Sequence, residues 1–219
     1  MIPIKTGILF DLDGTLLNTL EDLKDAVNYV LRSYNCPERT LEEVRTFIGT
    51  GAKNLIRKAL PGKENDPPLE QVLADYQVYY NAHSQVKTCP YEGILEALQY
   101  LRAKYPVAIV SNKPDVPVKS LCKDYFGDVY ALGEIADLPR KPAPDMLYKA
   151  MKDIGVDRCI YVGDSEVDVI TAGNAGAPCL SVTWGFRDQA CLEEAGGKNF
   201  CHDPKDLVAK LEEMIGNGE

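Results

Sequence analysis

The chain has 219 residues, 45% of them apolar and 26% charged, which suits one sizeable domain or a smaller domain with an insert. With 24 basic and 33 acidic residues its net charge is −9, which argues against nucleic acid as a partner, because phosphate backbones attract basic surfaces. A membrane-spanning helix needs an apolar run of roughly 18 residues, and none is present. The acidic balance does not exclude a small phosphorylated ligand, since a cation can reverse the charge within a pocket.

Seven cysteines are scattered along the chain, and none forms a C-x-x-C pair. The odd count and irregular spacing predict reduced, mostly buried thiols, as opposed to a disulfide framework or a zinc site. The N-terminal segment becomes acidic too early for a secretory signal. We therefore expect a cytoplasmic protein without a membrane or nucleic-acid partner. The sequence leaves monomer and homodimer equally open.

The chain begins with an apolar run, GILFDL over residues 7–12, which predicts a buried strand. Helical patterns and no convincing strand follow over residues 18–85. Thr19 and Asp22 suit the N-terminus of the first helix, and Thr40 begins a capping-box pattern before the second. Helices are predicted from about Glu21 to Tyr34, after Thr40, from near Ala52, and from Leu69 to Ala82.

After Pro90 helices and strands alternate, which predicts a Rossmann-like α/β fold, a parallel sheet with helices on both faces. Residues 1–17 and 86–219 would form this core. The segment 18–85 would be a small α-helical cap, inserted over the carboxyl edge of the sheet. Later strands are predicted at 107–111, 129–131, 159–162 and 178–182, helices at 94–104, 116–125, 144–154 and 167–175, and a frayed tail at 216–219.

Two carboxylates, Asp11 and Asp13, follow the first predicted strand in the sequence DLDGT. Residues two apart on a strand point to the same face, and the turn can bring both carboxylates to one pocket. Close carboxylates repel, so they need a cation or a shared proton. Because sites in open α/β sheets lie at the carboxyl ends of strands, the pair is a candidate site. The alternative is an acidic turn without a function.

A second acidic cluster, from Gly163 to Asp168, follows another predicted strand and opens a helix. Its carboxylates could supply the oxygen ligands that a hard cation requires. In the alternative interpretation Asp164 or Ser165 is only an N-cap, and Glu166 or Asp168 only complements the helix dipole. Those roles are compatible with metal binding, so they do not exclude a functional site.

Polar residues at two further strand or loop ends complete the set. Ser111 and Asn112 follow the run VAIV, where a hydroxyl and an amide can donate to phosphate oxygens. Lys141 lies on a proline-stiffened loop, where a fixed ammonium could neutralise both a nucleophile and an incoming phosphate. Taken singly, each is more often a turn residue or a solvated lysine.

Together the motif D-x-D-G-T at Asp11–Thr15, Ser111, Lys141 and the motif G-D-S-x-x-D at Gly163–Asp168 resemble the haloacid dehalogenase superfamily of phosphatases. The resemblance covers nearly the whole chain, since the helical insert looks like that family's small cap. Asn18 stands where relatives often have an acidic residue. Three segments resemble the phosphoglycolate phosphatase branch of that superfamily: Phe47–Gly51, Lys141–Pro144 and Thr183–Phe186.

The resemblance implies a Mg²⁺-dependent phosphatase acting on a small phosphorylated metabolite, with 2-phosphoglycolate as the expected substrate. Asp11 would attack phosphorus and form an aspartyl-phosphate, and Asp13 would serve as acid and then base. Asp11, the backbone carbonyl of Asp13 and Asp164 would hold the metal, and Asp168 would orient Lys141 or a metal-bound water. The implied phosphate-binding residues are Thr15, Ser111, Asn112 and Lys141.

Other functions remain compatible with the same motifs. A phosphomutase similar to β-phosphoglucomutase would need basic groups in the cap, where only Lys53 and Arg57 are weak candidates. Inorganic pyrophosphatases of the same superfamily have similar sequence motifs. A dehalogenase would not need Asp13, so its presence disfavours that activity. A metal-binding regulatory protein is the non-enzyme alternative. The sequence assigns no role to Glu166.

Overall fold

A computed structural model describes residues 4–63 and 66–216 of the chain. Its strands are β1 (Thr6–Phe10), β2 (Leu17–Asn18), β3 (Cys89–Pro90), β4 (Val107–Pro114), β5 (Tyr130–Glu134), β6 (Arg158–Gly163), β7 (Cys179–Val182) and β8 (Asn199–Cys201). Its helices are α1 (Leu20–Ser33), α2 (Leu41–Phe47), α3 (Ala52–Ala59), α4 (Leu69–His83), α5 (Ile94–Lys104), α6 (Asp115–Phe126), α7 (Asp145–Ile154), α8 (Glu166–Ala175), α9 (Gln189–Glu194) and α10 (Leu207–Gly216).

The main sheet is parallel, with the strand order β5-β4-β1-β6-β7-β8. Strand β1 lies in its middle, because it pairs with β4 on one side and with β6 on the other. The chain runs outward from β1 to β4 and β5, then returns to the other side of β1 to form β6. Ligand sites of open α/β sheets lie at the carboxyl ends of strands next to such a switch in order. The predicted parallel α/β sheet is confirmed.

Alternation along β1 places side chains on both faces of the sheet. Ile8 and Phe10 belong to one hydrophobic cluster, and Leu9 belongs to another on the opposite face. Helices α5, α6 and α10 cover the first face, whereas α7 and α8 cover the second, so the strand is buried on both sides. This double burial explains why the strand reads as a continuous apolar run.

Helices α1 to α4 pack around a third, separate hydrophobic cluster. Phe186 joins this cluster from the segment after β7. At the base of the helices β2 and β3 pair antiparallel, where no strand was predicted. Each of these strands has only two residues, too few to show a periodic pattern. That residues 18–85 form a cap domain remains a prediction.

Helix α1 begins where the sequence predicts it, with Thr19 at the N-cap position and Asp22 in the first turn. Thr19 makes no side-chain cap; its hydroxyl donates to Asp13 Oδ1 at 2.6 Å. Asp22 instead accepts hydrogen bonds from the backbone N–H groups of Lys87 and Thr88, 65 and 66 residues later. Both residues therefore stand where the sequence predicts them, but their side chains form hydrogen bonds with residues outside the helix.

The C-terminal part of the chain contains more structure than predicted, since α9, β8 and α10 were not expected. Gly216 is the last residue of α10, and 217–219 of the predicted frayed tail lie outside the described residues. Within the described ranges, no helix has the length and apolarity to cross a bilayer. All seven cysteines are free as predicted, but only Cys122, Cys159 and Cys201 are buried.

Candidate active site

Polar residues at the ends of the three central strands line one cavity of about 240 Å³. Asp11 directly follows β1, Ser111 lies near the end of β4, and Asp164 directly follows β6. Asp11 extends the sheet, because its N–H donates to the carbonyl of Val162 at 2.8 Å. The opposite wall of the cavity comes from the helices and includes Leu23, Ile48, Leu55, Tyr76 and Tyr80.

Lys141 is buried between two carboxylates. Its Nζ lies 2.9 Å from Asp11 Oδ1 and 2.8 Å from Asp168 Oδ1, and it also donates to the Tyr161 hydroxyl at 2.8 Å. Burial lowers the pKa of Lys141, but the charges of Asp11 and Asp168 outweigh this effect, and the net pKa is raised. The ammonium therefore stays charged beside Asp11.

Asp168 is engaged through both carboxylate oxygens. Oδ1 accepts from Lys141 and Tyr161, and Oδ2 accepts from the backbone N–H and the hydroxyl of Ser165 at 3.1 and 2.6 Å. Asp168 does not line the cavity. This geometry fits a residue that orients Lys141 and stabilises the start of α8 at once, so the N-cap interpretation and the functional one describe the same bonds.

The Asp13 carboxylate is held by Thr19 and Lys113. Asp13 Oδ1 lies 2.5 Å from Lys113 Nζ, and the Lys113 side chain is only 5% exposed. The sequence prediction had singled out Ser111 and Asn112 and missed this lysine. The signal was present, because Lys113 stands two residues after Ser111 on a strand and so points to the same face.

Asn112 ties two other segments together. Its Nδ2 donates to the carbonyl of Gly49 at 3.0 Å and to that of Lys141 at 2.9 Å, which uses both of its N–H groups. Its buried Oδ1 has no hydrogen-bond partner in the described part of the chain. Ser111 lines the cavity, and its oxygen accepts from the Lys113 N–H at 3.3 Å. Phosphate binding by Ser111 and Asn112 stays a prediction.

Asp164 is almost fully buried and is fixed by two donors. The Thr15 hydroxyl donates to Oδ1 at 3.0 Å, and the backbone N–H of Phe186 donates to Oδ2 at 2.7 Å. Thr15 does not line the cavity, so its predicted contact with phosphate stays untested. Gly14 approaches closely, with φ +88, and a Cβ there would lie 2.2 Å from Asp164 Oδ2. Only glycine fits this turn.

The carboxylates form a cluster suited to a divalent cation. Oxygens of Asp11, Asp164 and Asp168 lie within 4.8 Å of one another. With Asp13 these make four carboxylates, and among residues 4–63 and 66–216 their only ion-pair partners are the ammonium groups of Lys113 and Lys141, which leaves a formal charge of −2. Carboxylate oxygens are the ligands that hard cations prefer.

Burial makes this excess of negative charge costly. It raises the pKa of Asp11 to about 7; Lys141 opposes the shift, and the charges of Asp168 and Asp13 add to it. Burial and the charges of Asp168 and Asp11 raise the pKa of Asp164 well above its usual range. Apart from the Lys141 ammonium, Asp11 Oδ1 has no polar partner among the described residues. A divalent cation fits this site, because it would stabilise both ionised carboxylates.

Arg187, after β7, joins the sheet side of the cavity to the end of α2. Its Nε donates to Glu166 Oε2 at 2.8 Å, and its other nitrogens donate to the carbonyls of Arg45 and Ile48 at 2.9 and 2.8 Å. The last carbonyls of a helix lack intrahelical partners and favour a cation. The structure thus gives Glu166 a partner, Arg187, and places Glu166 outside the cavity lining.

Comparison with known proteins agrees with this geometry. The family described as haloacid dehalogenase-like hydrolases matches residues 8–182. The chain belongs to this family. It is 36% identical over 190 residues to a phosphoglycolate phosphatase of Rhodobacter capsulatus, covering 83% of this chain and 85% of that one. It is 35% identical over 214 residues to phosphoglycolate phosphatase 1 of Pseudomonas aeruginosa, covering 92% and 78%. This hydrolase is a phosphatase.

Solved structures show the same fold. A candidate phosphoglycolate phosphatase from Lactobacillus delbrueckii subsp. bulgaricus has a TM-score of 0.86 at 33% identity, covering 95% of this chain and 99% of that one. A haloacid dehalogenase-like family protein from Streptococcus pneumoniae has a TM-score of 0.83 at 23% identity, covering 95% and 99%. The fold is thus retained where sequence identity is low.

Removal of the Asp11 charge should stabilise this hydrolase when metal is absent. The folded-state pKa of Asp11 is about 7, raised from an ordinary value of 3.8, so the folded state binds more protons than the unfolded state between these pH values. The free energy of unfolding therefore falls as pH rises through this window. In EDTA, Asp11→Asn should be more stable than the wild type at about pH 8. The difference between their free energies of unfolding should become smaller as the pH is lowered from about 8 to about 5, because the wild-type carboxyl group then binds a proton.

Urea unfolding at the two pH values measures this effect. Asp128→Asn, at an exposed position, is the matched control and should behave like the wild type. Mg²⁺ should stabilise the wild type and have little effect on Asp11→Asn. An Asp11→Asn protein less stable than the wild type at the higher pH in EDTA would contradict the idea that buried negative charge is costly here.

Loss of Arg187 should loosen the segment 45–51. Arg187→Gln removes the ion pair with Glu166 and donors to two carbonyls, so amide exchange in this segment should accelerate roughly 10- to 100-fold, as expected for the loss of a few hydrogen bonds. Hydrogen–deuterium exchange measures this directly. Arg32→Gln, which removes an exposed pair with Glu38, is the control. Unchanged exchange over 45–51 in Arg187→Gln would show that other contacts hold the segment.

Proposed function

We propose that this phosphatase transfers the phosphoryl group of a small phosphomonoester to Asp11 and then to water, with Mg²⁺ as its cofactor. The observation that carries the proposal is the position of Asp11. It follows the central strand, lies 2.9 Å from the charged Lys141, and shares an oxygen cluster with Asp164. Asp13 lines the same cavity two residues later.

In the first half-reaction a carboxylate oxygen of Asp11 attacks phosphorus and the ester P–O bond breaks, which gives an aspartyl-phosphate. Asp13, protonated at this stage, gives its proton to the leaving oxygen. In the second half-reaction Asp13 takes a proton from a water molecule, whose oxygen attacks the same phosphorus. The acyl-phosphate P–O bond then breaks, inorganic phosphate is released and the Asp11 carboxylate is restored. Lys113 and Thr19 hold Asp13 in position throughout.

The residues that we propose for Mg²⁺ are Asp11, Asp164 and the backbone carbonyl of Asp13. When bound, the ion would supply positive charge that lets an anionic phosphate approach an anionic carboxylate. Lys141 and Ser111 would bind phosphoryl oxygens, where charge is spread in the transition state. We place Asp168 outside the metal ligands, because its two oxygens already bind Lys141, Tyr161 and Ser165.

For the substrate we propose 2-phosphoglycolate. The curated relatives named above are phosphoglycolate phosphatases. The cavity of about 240 Å³ lies below the roughly 300 to 1,000 Å³ that is usual for larger ligands, which favours a short molecule. Lys53 and Arg57, the weak candidates for a phosphomutase, do not line the cavity, and Lys53 is paired with Glu70.

We also propose that α1 to α4 act as a cap that excludes bulk water from the site. The ties from Arg187 and Asn112 to the segment 45–49 support this role. A cytoplasmic location is supported by seven free cysteines, and the net charge of −9 supports the lack of a nucleic-acid partner. The choice between monomer and homodimer, and the lack of a membrane partner, stay predictions.

The mechanism predicts the behaviour of two aspartate variants. EDTA should stop hydrolysis of p-nitrophenyl phosphate, and Mg²⁺ should restore it. Asp11→Asn should abolish turnover and borohydride trapping of the phosphoenzyme, since an amide is not an adequate nucleophile. Asp13→Asn should slow both half-reactions, with kcat lowered roughly 10²- to 10⁴-fold. Asp128→Asn should retain wild-type kinetics. Turnover by Asp11→Asn, or wild-type rates in Asp13→Asn, would refute the corresponding role.

The substrate proposal requires a comparison of kcat/KM values. We expect kcat/KM to be higher for 2-phosphoglycolate than for sugar phosphates, pyrophosphate and p-nitrophenyl phosphate, because a cavity of about 240 Å³ favours a short leaving group. The measurement is initial-rate release of inorganic phosphate with saturating Mg²⁺. A value for 2-phosphoglycolate that is no higher than those of the other substrates would overturn this choice and leave the aspartyl-phosphate mechanism intact.

A further inference from the structure

We propose that Tyr80 of α4 determines specificity, by donating a hydrogen bond to the polar group of the leaving alcohol, which is the carboxylate in 2-phosphoglycolate. The inference rests on the proposed phosphatase function and adds to it the side chain that recognises the non-reacting part of the substrate. Three observations carry it: an unpaired hydroxyl, the position of the ring beside Asp13, and the pairing of every cation in the cavity lining.

Among the described residues, none forms a hydrogen bond with the hydroxyl of Tyr80. The side chain lines the cavity that contains Asp11 and Asp13, and the residue is only 3% exposed. Its buried oxygen has no hydrogen-bond partner within residues 4–63 and 66–216. Buried hydroxyls are nearly always paired, and leaving one unpaired is costly. An acceptor on a bound ligand would satisfy this donor.

The ring of Tyr80 lies on the leaving-group side of the site. Lys113 Nζ is 4.8 Å from the ring centroid and 2.5 Å from Asp13 Oδ1, so a single ammonium contacts both residues. In the proposed mechanism Asp13 gives its proton to the leaving oxygen, which places the leaving alcohol against Asp13. The part of that alcohol beyond the ester oxygen therefore lies next to Tyr80, whereas the phosphoryl oxygens lie towards Lys141.

In the described part of the chain, the cavity lining offers the leaving group no cation that is free of a carboxylate. Each positively charged side chain in its lining is already paired with a carboxylate, and the pairs are Lys113–Asp13, Lys141–Asp11 and Arg187–Glu166. An acceptor on the substrate would then bind a neutral donor. Gln77 and Asn81 also line the cavity, but Tyr80 combines a buried hydroxyl, unpaired among the described residues, with a position beside Asp13. Leu23 and Leu55 in the same wall lower the local dielectric, which strengthens a hydrogen bond from the phenol.

The proposal predicts discrimination by one functional group. Ethyl phosphate has the same number of carbon atoms as 2-phosphoglycolate but lacks the carboxylate, so it leaves the Tyr80 hydroxyl unpaired. Sites built to donate to a substrate group reject analogues that lack it, since the buried donor then has no partner. The wild type should therefore have a higher kcat/KM for 2-phosphoglycolate than for ethyl phosphate.

Tyr80→Phe tests the role of the hydroxyl alone, because the ring and its contact with Lys113 are retained. The ratio of kcat/KM for 2-phosphoglycolate to that for ethyl phosphate should fall at least roughly 10-fold, as expected for the loss of one hydrogen bond to a charged acceptor. Tyr79→Phe is the matched control. Tyr79 is the preceding residue on α4, stacks on Tyr29 at 3.8 Å and does not line the cavity, so the ratio should not change.

The outcomes separate this inference from the proposed function. If the wild type prefers 2-phosphoglycolate and Tyr80→Phe keeps the full ratio, the role of Tyr80 is refuted and the proposed function stands. An equal loss on both substrates, with the folded state intact by circular dichroism, would also refute it, because a structural role does not alter the ratio. Failure of the proposed function would instead appear in the wild type, as an absence of Mg²⁺-dependent turnover and of a trapped phosphoenzyme.

Discussion

The buried ammonium of Lys141 between Asp11 and Asp168 is the interaction on which the rest of the site depends. A charge in this position needs partners on all sides, and Tyr161 supplies the remaining acceptor. Removal of the ammonium itself would leave the Asp11 and Asp168 carboxylates buried without a cation between them, which is strongly destabilising. Asp168 is in turn held by Ser165 at the start of α8. The sheet, the lysine loop and the helix are therefore fixed to one another through a single ion cluster.

The same edge of the sheet also fixes the helices above it. Thr19 directly precedes α1 and donates to Asp13, so the first helix is attached to a residue of the site. Arg187 and Asn112 hold the carbonyls of the segment 45–49 from the opposite side. These polar ties supplement the hydrophobic contact of Phe186 with the helical cluster. The position of the cavity wall thus depends on residues that also position the carboxylates.

The sequence predicted those features that rest on local patterns. Apolar runs located the strands on which the site lies, and α5 was predicted with the bounds that the structure shows. The capping box at Thr40 is also confirmed, with Glu43 as its reciprocal partner. Features without such a pattern were missed: nothing in the sequence marks the hydrogen bond from Thr19 to Asp13, and β8 has only three residues. Lys113 was missed although its spacing from Ser111 placed it on the same face.

The two N–H groups of Asn112 have a consequence for entry into the site. One N–H donates to the carbonyl of Gly49 and the other to the carbonyl of Lys141, so the amide has no further N–H to donate when the helices are in this position. A displacement of Gly49 would free one N–H at the rim of the cavity, next to Ser111. That N–H can donate either to the carbonyl of Gly49 or to a bound anion, but not to both at once. Substrate and wall would compete for the same donor, so anion binding and the position of the wall are thermodynamically linked.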